Sequence, residues 1–141
     1  MSIESRLTSR DDWAIITATR EAAGPWDCEE NVRDNAELLE ILDDAFEVVP
    51  LTGAYNGVDQ GPSFLVFGIT AYEACELGDR FWQESVLTPK GLVKCDDFST
   101  MAHANGANSF GIEATREDFF LTVTATGESF SIGLNFEGEN E

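Results

Sequence analysis

Cations are what this chain has least of. It holds two lysines, Lys90 and Lys94, and one histidine, His103, and its 8 basic residues stand against 27 acidic ones for a net charge of −19. A chain so charged repels phosphate backbones and anionic membranes, and no basic stripe is present to neutralise phosphates, which argues against nucleic-acid binding. With a single histidine a His-rich metal site is excluded, and Cys28, Cys75 and Cys95 are too dispersed to suggest a Cys₃His centre. Those three cysteines form no CxxC pair and leave an odd count, which favours a reduced, cytoplasmic setting over a disulfide framework. No apolar run approaches the ~18 residues of a membrane span, and "MSIESRLTSRDDW" has no apolar core of signal-peptide length. A phosphate-cradling GxxxxGK[ST] is missing, and "LTGAYNG" reads as a hairpin turn. No catalytic residue, metal ligand or cofactor is therefore assigned, and the expectation is a soluble cytoplasmic protein.

What is present is enough for a core. A hydrophobic content of 43% with ten Phe over 141 residues predicts a single domain, 1–141. "WAIITATR" (13–20) is β-branched and short, and reads as a strand. Asp27, three before Glu30, resembles a capping box and starts a helix running to about Asp44. "FEVVPL" follows as a second strand, Asn56-Gly57 as a hairpin turn, and "SFLVFGI" as a central strand apolar on both faces. Thr70 and Glu73 cap a second helix from Ala71 to about Gln83, with Ala71, Ala74, Cys75, Leu77, Gly78, Phe81 and Trp82 on its core side. "SVLT", a turn at "PKG", and "LVKC" come next. Residues 94–109, small and polar, read as a loop, 110–136 as a hairpin turning at Thr126-Gly127, and 137–141 as a frayed tail. The order over residues 13–93 is βαββαβ, so the fold class is α+β, a ferredoxin-like core with an added C-terminal antiparallel strand pair.

The stretch "DCEENVRDNAELLEILDDAFE" carries the densest acid. On a helical wheel Glu29, Glu30, Arg33, Glu37, Glu40 and Asp44 share one arc, and Val32, Ala36, Leu38, Leu39, Leu42, Ala45 and Phe46 the opposite one. An ordinary wet helix face explains this, and so does a surface built for a basic partner. Carboxylates at these spacings lack the loop and the histidine that a metal site would add. More informative are Asn31 and Asn35, which fall within the apolar arc. A buried amide without partners costs about 1–3 kcal/mol, so each ties the helix to a neighbouring segment or faces a polar pocket.

"WAIITATR", "EENVRDNAELLEIL", "PSFLVFGIT" and "FWQESVL" together resemble domain-of-unknown-function family 3293, found in bacteria and phages, over residues 13–93. The shared pattern is a strand with a Thr-rich end, an Asn-x-x-x-Asn helix, an apolar strand, a helix, and a Gln-Glu-Ser step into the next strand. The first strand departs from the family's Trp-Asn-Pro ending and reads "TATREAAGPW". The resemblance implies no activity; it supports the fold and suggests a bacterial or phage accessory protein.

Two functions from different classes follow. The first is a non-enzymatic interaction protein whose Glu30, Glu37, Glu40 and Asp44 bind a basic protein surface, as a host-factor inhibitor or DNA mimic would. The second is a small-ligand binder or enzyme. In a ferredoxin-like sheet the end of the first strand, the start of the first helix and the starts of the third and fourth strands meet at one edge. That would gather Thr19, Arg20, Asn31, Asn35, Ser63, Gln83 and Ser85 into one polar cluster, the kind of place where ligands bind.

Overall fold

The computed structural model describes residues 2–55, 58–104 and 118–136. In chain order these form α1 (Ile3–Ser9), β1 (Trp13–Ile16), a 3-10 turn (Glu21–Ala23), α2 (Glu29–Ala45), β2 (Glu47–Tyr55) and β3 (Val58–Phe67). There follow α3 (Ala71–Arg80), β4 (Ser85–Thr88), β5 (Gly91–Lys94), β6 (Thr100–Ala104), β7 (Asp118–Val123) and β8 (Ser129–Phe136). The class is mixed α+β, and every strand pairing is antiparallel.

The strands run β1-β3-β2-β7-β8-β6-β5-β4, and the sheet curls until it closes, β4 returning to β1 through the single pair Ile15↔Leu87. Alternation along the strands then sorts side chains into two cores. Trp13, Ile15, Leu51, Leu65, Phe67, Leu121, Phe130 and Ile132 belong to one, with Ile3 and Leu7 of α1 packed into it. Ala14, Ile16, Phe64, Val66, Val86 and Val93, their alternates, form the other with Leu38 and Leu42 of α2 and Cys75 of α3. Helix α1 falls in a segment for which no element was expected. The indole of Trp13 in β1 donates to the Leu7 carbonyl at 3.0 Å, tying this helix to the barrel.

Several expectations are corrected. Segment 94–109 is not wholly a loop, since Thr100–Ala104 forms β6, paired with β5 and β8; ladder partners outweigh its small, polar composition. The added strand pair does not merely flank the sheet. β7 pairs with β2, and β8 continues through β6 and β5 to close it. Helix α2 begins after Cys28 rather than Asp27, because a turn from Pro25 to Cys28 (Cys28 N–H to Pro25 O, 3.0 Å) takes up Asp27. The same helix leaves Val32, expected on its apolar arc, 53% exposed. The Thr70–Glu73 capping box of α3 is present as expected. Its helix nevertheless stops at Arg80, where Trp82 N–H bonds to Asp79 O and Gln83 N–H to Gly78 O. That is a Schellman closure, and it puts Trp82 in the left-handed region (φ 59) and in solvent rather than in the core. Residues 56–57, 105–117 and 137–141, parts of the expected hairpin turn, loop, C-terminal hairpin and tail, lie outside the described residues.

Candidate functional site

A cleft of about 230 Å³ opens into the barrel where β1 ends and β4 begins. Its walls are the apolar side chains Ile15, Leu87, Leu92, Phe119 and Leu121. Its polar lining is Thr17, Thr19, Gln60, Ser63, Gln83 and Ser85, with no charged residue among the described residues that line it. The strand registers explain this grouping. Thr17 continues the inward alternation of Trp13 and Ile15, and Ser63 that of Phe67 and Leu65, so polar side chains occupy the same inward rows near the mouth. Gly53 of β2, opposite Gly61 of β3, lets Leu121 come close at the mouth: a Cβ on Gly53 would meet Leu121 Cδ2 at 2.7 Å.

Four residues of the expected cluster, Thr19, Ser63, Gln83 and Ser85, line this one cleft. The others are placed behind or beside it. Asn31 is fully buried; its Oδ1 accepts from Arg20 N–H (2.9 Å), and its Nδ2 donates to Arg20 O (3.1 Å) and Pro25 O (2.9 Å). Asn35 Oδ1 accepts from Ala18 N–H (2.9 Å), while its Nδ2 donates to Thr19 Oγ1 (2.9 Å) and Asn31 O (3.0 Å). Both amides therefore staple the segment after β1 onto α2, Asn31 through Arg20 and Asn35 through Ala18 and Thr19, and neither lines the cleft. Gln83 Nε2 donates to Thr19 O (3.1 Å), and Thr17 Oγ1 to Pro62 O (2.8 Å), so the rim is held from three elements.

Within the cleft's lining Ser63 stands apart by burial: its Oγ is buried and has no hydrogen-bond partner among the described residues. Arg20 Nε, beside the cleft, is likewise buried and unpartnered among the described residues. A buried hydroxyl left without a partner is costly, so an orphan inside a cleft marks where a ligand atom would be worth most.

Arg20 lies beside the cleft, in a shallower cup that shares Thr19 and Gln83 with it. The guanidinium sits 4.6 Å from the centre of the Trp82 ring and pairs with Glu30. Glu30 is thus occupied, whereas Glu37, Glu40 and Asp44 are exposed on α2 and enter no ion pair among the described residues.

The two buried thiols, Cys75 and Cys95, are poor nucleophiles. Burial pushes Cys75 up and Cys95 to about 12, so neither holds a thiolate at neutral pH. Among the described residues no group of three or more His, Cys, Asp or Glu could hold a metal, and no helix is long and apolar enough to cross a membrane. His103 is placed by its backbone in β6.

Comparisons with protein-family models, curated proteins and solved structures find no match for this chain. Its site must be read from its own geometry. Sequence reasoning missed Thr17, Gln60 and the apolar wall; the inward alternation Trp13-Ile15-Thr17 was the signal available for Thr17.

Proposed function

We propose that the protein binds a small, uncharged, amphipathic molecule in the cleft, its apolar body against Leu87, Leu92 and Leu121 and a polar atom on Ser63. The orphaned Ser63 Oγ carries this reading. The described lining residues carry no charge, which favours a neutral ligand, and an eight-stranded closed sheet is about wide enough to hold one such molecule. A thermal-shift screen of neutral fragments tests it. Ser63→Ala should fold at least as stably as the parent, because it deletes an unpaired hydroxyl, and should weaken a hit about three- to tenfold. Leu121→Trp should fill the cleft and remove binding. Hits indifferent to both variants, or a screen without hits, would overturn the reading.

The second reading is a basic protein partner, favoured by Glu37, Glu40 and Asp44, which lie on the exposed face of α2 and are unpaired among the described residues. The order β2-β3-β1-β4 around α2 and α3 supports, as a finer description, a ferredoxin-like βαββαβ core within the closed sheet. That order also fits the likeness to family 3293 and a bacterial or phage accessory role, and the free cysteines fit a reducing, cytoplasmic setting.

A further inference from the structure

The outer surface beside α3 carries an aromatic pair that the cleft does not use. Tyr72, in the first turn of α3, is 58% exposed, and Phe98, in the turn between β5 and β6, is 46% exposed. Their rings lie 5.1 Å apart at 31°. Phe98 adopts φ 62, where glycine is the usual occupant, in a turn closed by Phe98 N–H to Lys94 O (2.9 Å) and Lys94 N–H to Ser99 O (2.8 Å). The chain thus holds a bulky aromatic in solvent at a position that favours no side chain.

Acid borders the pair on both elements. Glu76 follows Tyr72 by one turn on α3, and Asp96 and Asp97 precede Phe98. Hydrogen bonds from Ser99 hold the Asp97 carboxyl below its ordinary range, so it stays charged. Lys94, 4.0 Å from Asp96, is the one cation paired with these acids among the described residues. Aromatic faces are electron-rich, and flanked by carboxylates they present the chemistry that recognises a guanidinium.

We propose that Tyr72 and Phe98 form a docking site for an arginine-bearing segment of a protein partner. The inference rests on the second reading above, and it moves the partner's site from α2 to α3. The probe is a synthetic peptide of arginine-glycine repeats, titrated into the full chain at about 150 mM salt, where charges beyond ~8 Å are largely screened. Phe98→Gly suits the local backbone and should melt no lower than the parent. It and Tyr72→Ala should each weaken binding about three- to tenfold. The triple variant Glu37→Gln/Glu40→Gln/Asp44→Gln should bind as the parent does. Loss only in the triple variant would overturn this site and leave the partner reading on α2 intact. Equal losses in all three variants, the mark of unspecific attraction, would overturn the site too. No binding by the parent would overturn both.

Discussion

At the scale of the residue, the asparagines of α2 show how a polar side chain in the wrong arc can be read. Asn31 and Asn35 were legible as positions needing partners, because an amide on a core stripe must be satisfied. Their partners were not legible, since Ala18, Thr19, Arg20 and Pro25 belong to an irregular segment whose path no periodicity dictates. Ser63 was legible only as a place near the mouth. Whether its hydroxyl is paired depends on where Gly53 and Leu121 sit in two other strands. Asn35→Ala should orphan the Ala18 N–H and free Thr19 together, costing about 2–4 kcal/mol by urea denaturation. The same variant should weaken cleft ligands, because Thr19 belongs to the rim. A loss below about 0.5 kcal/mol would show that the segment after β1 holds itself in place without the amide.

At the scale of the element, α3 separates what local pattern specifies from what packing decides. Its start was readable from Thr70 and Glu73, since a capping box is a local device. Its end was not, because the left-handed closing position carries Trp82 where a glycine would have announced the stop. The glycine that α3 does contain, Gly78, sits inside the helix for a different reason. A Cβ there would lie 2.8 Å from Cys95 Sγ and 2.9 Å from Val86 Cγ1, so Gly78 is where the helix comes down onto β4 and the end of β5. Gly78→Ala poses a contest of magnitudes. Helix propensity favours alanine by about 1 kcal/mol, whereas overpacking costs about 1–3 kcal/mol. The buried sulfur and the strand methyl cannot swing away as a surface chain would, so overpacking should win and stability fall by about 1 kcal/mol. An unchanged or higher melting temperature would mean that β4 and β5 yield to the helix.

At the scale of the whole molecule, βαββαβ order was legible over residues 13–93 because short-range patterns follow one another there. Closure was not, for β2 with β7 and β6 with β8 are pairings between distant segments that composition does not encode. Net charge acts at this same scale and yields a prediction of its own. The described ion pairs, such as Arg6–Glu47 and Arg10–Asp12, lie at the surface, where water and salt screen them. Against these few stands the mutual repulsion of a −19 chain, which compaction increases. Raising salt from about 0.01 M to about 0.5 M shortens screening from roughly 30 Å to a few ångströms. It therefore relieves the many long-range repulsions while weakening only the few short attractions. The melting temperature should rise by about 3–8 °C over that range. The variant Glu37→Gln/Glu40→Gln/Asp44→Gln should start higher at low salt and rise less, because it removes charge from the most crowded face. A melting temperature that stayed level or fell with salt would show that the carboxylates are spaced beyond mutual reach, and the charge would then have to be explained by what it meets rather than by what it costs.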